Sequence, residues 1–238
     1  MFEVGRLTDR GRVRENNEDS LYVDGEIGLF IVADGMGGHN AGEVASRMVV
    51  GHIRMHVEKA LSSTDDISSL LDDAVSSANE AIYEKSVEDD SLSGMGTTVV
   101  VAILRADKLY VAHVGDSRAY MLEDAELKPL TKDHTVVNNW ISRGVITKEE
   151  ARKHPMGHGL TRAVGVEDEI EVDIGVFPYT NETVLLCSDG LTDMVAEDAI
   201  AAILMDVPDL QEACDRLVDL ANQRGGRDDI TVVVFKIR

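Results

Sequence analysis

Residues 29–38 read Leu29-Phe30-Ile31-Val32-Ala33-Asp34-Gly35-Met36-Gly37-Gly38. An unbroken apolar run closed by an acid and a glycine-rich turn describes a strand, over 27–33, buried on both faces. The pattern recurs in Val184-Leu185-Leu186-Cys187-Ser188, which leads into Asp189-Gly190, while Gly225-Gly226-Arg227-Asp228-Asp229 opens the apolar run from Ile230 to Ile237. A carboxylate at the end of a buried strand is costly unless a cation or a donor meets it, and several converging acids repel one another. A divalent metal resolves that conflict. With carboxylates and carbonyls on offer and no Cys/His cluster, the hard oxygen set favours Mg²⁺ or Mn²⁺ over Zn²⁺. The glycines fit, since Gly35, Gly37 and Gly38 let main chain approach a metal and expose the Gly35 carbonyl as a ligand. The competing use of Asp-Gly is a plain two-residue turn, and Asp24-Gly25 is read that way.

Outward from this core the pattern alternates. Phe2 to Leu7 and Ser20 to Val23 have strand composition, and two successive stretches, Ala41 to Leu61 and Ile67 to Ile82, repeat apolar residues at three and four as amphipathic helices do. Strands resume at Gly96 to Leu104, Lys108 to Val114 and Ala119 to Leu122, with Asp107 in a tight reversal. From Thr131 to Gly165 the pattern weakens to short helical pieces over 136–143 and 148–153, parted by Gly144, Pro155, Gly157 and Gly159, and reads as a mobile insertion. Strands at Ile170 to Val176 and Thr183 to Cys187, helices at Ala196 to Met205 and Leu210 to Gln223, and the strand from Ile230 complete one domain over 1–238. Strand groups alternating with helix pairs predict an α+β sandwich of antiparallel sheets covered by helices.

The 238 residues carry 44 acidic and 23 basic side chains, a net charge of −21. That excess repels phosphate backbones and anionic headgroups and argues against nucleic-acid or membrane partners. The two cysteines, Cys187 and Cys214, offer neither a disulfide framework nor a zinc spacing. With no 18-residue apolar run, these features predict a cytoplasmic protein.

Two further acidic segments complete the candidates. In Arg12-Val13-Arg14-Glu15-Asn16-Asn17-Glu18-Asp19 the choice lies between a solvated loop and a phosphate contact by Arg14 beside Glu18 and Asp19 holding metal-bound waters. Gly115-Asp116-Ser117-Arg118 has the form of a hairpin turn, with Asp116 either a turn acid or one more carboxylate at the same rim.

Eight strings in order, RVRENNEDS (12–20), FIVADGMGGHNAGE (30–43), GMGTTVV (94–100), AHVGDSRAY (112–120), LTKDHT (130–135), LTRAVG (160–165), LLCSDGLTD (185–193) and GGRDDITVVVF (225–235), span nearly the whole chain. Together they resemble the bacterial branch of the PPM family, the metal-dependent, type 2C protein Ser/Thr phosphatases. The resemblance implies a four-layer αββα sandwich, two antiparallel sheets flanked by helix pairs. It implies that Asp34 bridges two Mn²⁺ or Mg²⁺ ions, that the Gly35 carbonyl joins one, that Asp189 and Asp228 complete the other, and that Glu18 and Asp19 act through waters. Arg14 matches the phosphate-gripping arginine, Asp116 the acid of a third, weaker metal, and 131–165 the flap beside the active site.

The pattern departs in three places. Asp229 follows the last ligand where Asn is usual, the flap reads His154-Pro155-Met156-Gly157-His158 where Asn is usual near His158, and Met36 stands where the eukaryotic branch has a His proposed as proton donor. His39 is therefore read as a capping or packing residue rather than a general acid. The implied activity is hydrolysis of phosphoserine and phosphothreonine in proteins by a water that the metals activate, by a monomer opposing a cognate Ser/Thr kinase. A phosphoprotein-binding module without turnover, or an enzyme devoted to one regulatory partner, are the rival readings.

Overall fold

The computed structural model describes residues 2–37, 41–151, 154–157 and 159–237. Its strands are β1 (Phe2–Asp9), β2 (Asp19–Asp24), β3 (Leu29–Met36), β4 (Gly96–Thr97), β5 (Val99–Arg105), β6 (Lys108–Val114), β7 (Arg118–Glu123), β8 (Glu126–Pro129), β9 (Asp173–Pro178), β10 (Thr183–Cys187) and β11 (Ile230–Ile237). The helices are α1 (Ala41–Ala60), α2 (Ile67–Glu88), α3 (Val136–Ser142), α4 (Lys148–Ala151), α5 (Asp189–Thr192), α6 (Glu197–Asp206) and α7 (Leu210–Gln223), with a single 3-10 turn at Asp90–Leu92. One sheet has the order β1-β11-β10-β7-β8 and the other β2-β3-β5-β6-β9, with β4 paired to the end of β3. Every ladder is antiparallel.

The unbroken apolar runs follow from a four-layer stack, in which a central strand has no solvent face. On β3, Phe30 and Val32 enter the layer between the sheets, whereas Leu29, Ile31 and Ala33 meet Ala45, Val49 and Ile53 of α1. On β11, Val233 and Phe235 point inward while Val232 and Val234 meet Ala213, Leu217 and Val218 of α7. This is the period-two alternation of a strand with both faces buried. In the middle layer the rings of Phe30 and Phe235 stack with centroids 3.7 Å apart and planes 8° from parallel. Asp66 and Asp209 start α2 and α7, each carboxylate accepting the backbone N–H three residues on. Both cysteines are buried free thiols. Among the described residues no helix is long and apolar enough to cross a membrane.

Four local expectations are corrected, and one hairpin is added that the sequence reading does not contain. The third strand starts at Leu29, because Asp24 accepts the N–H groups of Glu26 and Ile27 and draws Ile27 into the turn. It runs past Asp34 to Met36, because β4 supplies Gly35 and Met36 with partners. The strand expected from Ile170 begins at Asp173; Ile170 and Val172 pack against the α1–α2 layer outside any ladder. The β7–β8 hairpin turns on Asp124 and Ala125, both at positive φ, a conformation that an alanine does not advertise. Finally, Gly115–Ser117 is no hairpin, because β6 lies in one sheet and β7 in the other, so the chain crosses between them there. His39 and His158 lie outside the described residues.

Removing the inner aromatic pair tests the middle layer. Phe235→Ala should cost roughly 3–5 kcal/mol of unfolding free energy in urea. A loss under about 1 kcal/mol, well below that range, would mean that the sheets do not depend on this stack.

Candidate functional site

Five separated segments deliver acids to the rim where the two sheets meet. The β2–β3 ladder places Asp19 directly opposite Asp34, so two carboxylates share one face of adjacent strands. From the other sheet, Asp189 opens α5 just past β10, and Asp228 and Asp229 lead into β11. Asp116 sits in the crossover between the sheets and is buried.

The electrostatic result is strain in the charged state. Burial first, and then the charges of Asp19, Asp189, Asp116 and Asp228, hold the Asp34 carboxyl well above the usual carboxylate range. Asp19 is pushed up to about 8, chiefly by burial, with Asp229 and Asp189 adding to the shift and hydroxyls of Thr231 and Ser188 opposing it. Asp116 is likewise pushed up to about 8 by burial, with Asp189 and Asp133 reinforcing it. Asp229 rises to about 6 for the same first reason, and Glu18 is raised by burial and by Asp229.

Hydrogen bonds fix the main chain around these acids. The Asp34 N–H donates to Thr98 Oγ1 at 3.0 Å, and the Asp34 carbonyl accepts from Thr97 Oγ1 and from the Thr98 N–H, both at 2.8 Å. The Thr98 hydroxyl in turn shares a 2.6 Å bond with Ser117 Oγ, next to Asp116. Ser188 Oγ donates to Asp19 Oδ2 at 2.8 Å and accepts the Thr231 N–H at 3.0 Å. Asp229 Oδ2 accepts the Glu18 N–H at 2.7 Å. In contrast, Asp19 Oδ1 and Asp229 Oδ1 are buried without a hydrogen-bond partner.

Two glycines allow this crowding. A Cβ on Gly35 would stand 2.2 Å from the Gly42 carbonyl oxygen and 2.6 Å from that of Glu18, and one on Gly190 would stand 2.0 Å from the Asp229 carbonyl oxygen. Gly35 therefore lets β3, the start of α1 and the Glu18 segment meet. Arg14 is half-exposed at the mouth, where Nη2 donates to Asp228 Oδ2 at 2.6 Å.

Every acid singled out in the sequence, Glu18, Asp19, Asp34, Asp116, Asp189 and Asp228, thus lies in this region with Gly35 and Arg14. The sequence reading missed Thr97, Thr98, Ser117 and Ser188. Their positions inside the quoted strings GMGTTVV, AHVGDSRAY and LLCSDGLTD were the available signal. Asp229 proves to hold the Glu18 backbone while raising its neighbours. The 131–165 insertion is anchored at its base by mutual backbone bonds between Thr97 and Val164 and by a bidentate Arg118–Asp133 pair.

Comparison with known proteins gives a consistent set of relatives. The family model described as Protein phosphatase 2C matches residues 9–229. A serine/threonine phosphatase stp of Listeria monocytogenes is 43% identical over 236 residues, covering 96% of this chain and 93% of its own. The crystal structure of the Mycobacterium tuberculosis serine/threonine phosphatase PstP/Ppp is 39% identical and superposes with a TM-score of 0.92 over 100% of this chain and 99% of that one. A PstP catalytic domain in complex with two manganese ions is 38% identical, with a TM-score of 0.89 over 99% of this chain and 97% of that one. Because the family match runs unbroken from before Arg14 to beyond Asp228 and the backbones coincide along the whole fold, this chain belongs to the protein phosphatase 2C family.

Proposed function

We propose that this chain is a metal-dependent protein phosphatase that hydrolyses phosphoserine and phosphothreonine in proteins, with Mn²⁺ or Mg²⁺ at the acidic rim. The observation that carries the reading is the convergence of carboxylates from both sheets, some of whose buried oxygens lack a donor. An all-oxygen donor set of this kind fits a hard divalent ion.

Asp34 would hold two ions, the Gly35 carbonyl one of them and Asp189 and Asp228 the other. Glu18 and Asp19 would act through waters, and Asp116 would hold a third, weaker ion. When bound, the divalent pair supplies a deprotonated water near neutral pH and offsets charge on a phosphate. Arg14 orients the phosphate: its guanidinium is anchored on Asp228 and has further N–H groups in a fork suited to phosphate oxygens. Thr97 and Thr98 keep Asp34 in place through its main chain, so the carboxylate is set before any ion arrives.

Finer readings extend this one. We infer that the chain acts as a single domain over 1–238, as a monomer in the cytoplasm, on proteins phosphorylated by a cognate Ser/Thr kinase. The three apolar layers support one domain, and the net charge of −21 argues against nucleic acid and anionic membranes as partners.

Phosphate release from phosphoserine and phosphothreonine peptides should require Mn²⁺ or Mg²⁺, vanish with chelator and return with Mn²⁺. Asp34→Asn should lower kcat/KM by more than the roughly 10–100-fold typical of residues that only support metal ligands. Wild-type turnover by Asp34→Asn, or turnover undiminished by chelation, would refute the assignment.

A second outcome concerns pH. Folded-state pKa values of about 8 for Asp19 and Asp116 and about 6 for Asp229 exceed the unfolded carboxylate value of about 3.9. The folded chain therefore binds more protons than the unfolded one, and metal-free stability falls as pH rises from about 4 through 8. Melting temperatures in chelator should drop across that window, less steeply in Asp19→Asn, and saturating Mn²⁺ should flatten the decline. A metal-free Tm that climbs from pH 5 to 8 would contradict this account.

A further inference from the structure

A second polar cluster lies behind the Asp116 turn. His113 near the end of β6, His134 at the start of the 131–165 insertion and Asp173 at the start of β9 present nitrogen and oxygen atoms within 4.8 Å of one another. Two imidazoles and a carboxylate are a ligand set for a softer divalent ion. The hydrogen bonds exclude it here. His134 Nδ1 accepts the Gly115 N–H at 3.2 Å, so the neutral ring carries its proton at Nε2 and has no lone pair left for a metal. That Nε2–H faces Asp173 Oδ2, 3.3 Å away, and Arg162 Nη1 donates to the other oxygen, Oδ1, at 2.7 Å, its longer 3.4 Å approach to Nε2 being a contact between two donors. Burial, and then His113 stacked at 4.7 Å, keep His134 neutral, as this arrangement requires.

His134 holds Gly115 twice. Besides the ring contact, its backbone N–H donates to the Gly115 carbonyl at 2.9 Å. Both main-chain polar groups of Gly115 are therefore bound to one residue. Gly115 has a φ of +100°, and a Cβ there would stand 2.6 Å from the Thr98 side chain, so only this backbone conformation at a glycine fits. The next residue is Asp116. His134 also accepts the Thr161 N–H at 2.8 Å on its own carbonyl, which ties the returning end of the insertion to the same point.

We propose that His134 is a positioning residue for Asp116, clamping Gly115 by ring and backbone so that the Asp116 carboxylate faces the rim, with Asp173 and Arg162 fixing the ring's tautomer. The proposal rests on the reading of Asp116 as the ligand of a weaker third ion. It adds that the ion's affinity depends on an imidazole from the base of the insertion.

The test is a Mn²⁺ binding isotherm, with free ion read by electron paramagnetic resonance, for wild type, Asp116→Asn, His134→Asn, His134→Gln and Asp173→Ala. Asparagine places its carbonyl oxygen near the Nδ1 position and keeps an acceptor for Gly115, whereas glutamine places its amide nitrogen near Nε2 and loses that acceptor. Asp116→Asn should abolish the weak binding phase. His134→Gln should weaken that phase about tenfold and spare the tight phase, as loss of a supporting partner does. His134→Asn should stay close to wild type, and Asp173→Ala should weaken the same phase to a lesser degree. Equal losses in the Asn and Gln variants, an unchanged weak phase in His134→Gln, or parallel loss of both phases would overturn the proposal. If His134→Gln does not fold, Asp173→Ala decides: selective weakening supports the clamp, and an unchanged or uniformly weakened isotherm rejects it. A weak phase that survives Asp116→Asn would instead refute the ligand reading of Asp116, and the clamp with it.

Discussion

Asp19 and Asp34 stand across from each other on neighbouring strands, with Asp189 and Asp116 close enough to raise the Asp34 carboxyl further. Like charges in this position repel, and burial prevents water from screening them. One Asp19 oxygen takes a hydrogen bond from Ser188 and the other has none. Arg14 offers a positive charge that reaches Asp34, but it is half-exposed and committed to Asp228 at the mouth, and burial and neighbouring acids still hold Asp34 well above the usual carboxylate range. The fold is therefore built around an unmet demand for positive charge. That demand costs stability in the absence of an ion and becomes binding energy in its presence.

What holds the acids together despite their repulsion is the seam between the sheets. Asp19 and Asp34 come from one sheet, Asp189, Asp228 and Asp229 adjoin strands of the other, and Asp116 lies where the chain passes between them. The relative placement of the sheets fixes the distances among the carboxylates. Phe30 lies four residues before Asp34 on the strand that carries it, and its ring stacks on Phe235 of the strand that follows Asp228 and Asp229. Packing in the middle layer is in this way part of the site's geometry.

The sequence made legible whatever has a period or a run. Leu29 to Ala33 could be read as buried on both sides because a four-layer stack leaves such a strand no solvent face, and the helices showed their spacing for the same reason. The acids were legible because a carboxylate after an apolar run is chemically conspicuous. Contacts made by backbone atoms to residues far along the chain have no such pattern. Nothing local to Thr98 announces that it will hold the Asp34 N–H and the Ser117 hydroxyl together, nor does the Asp-His pair at 133–134 announce a grip on Gly115. The crossover at Asp116 was misread as a hairpin because a short glycine turn looks alike whether it returns to the same sheet or passes to the next.

The supporting residues share one property: Thr97, Thr98, Ser117, Ser188 and His134 are buried and neutral. A lysine in any of these places would collapse onto the nearest carboxylate and compete with the ion. A further acid would add to the repulsion. Hydroxyls and a neutral imidazole instead fix main-chain geometry through short hydrogen bonds without changing the charge of the centre. Arg14 is held where the solvent begins, on a residue that would itself bind metal. In that position Nη2 is tied to Asp228, while the rest of the planar fork, with its further N–H donors, stays at the solvent edge.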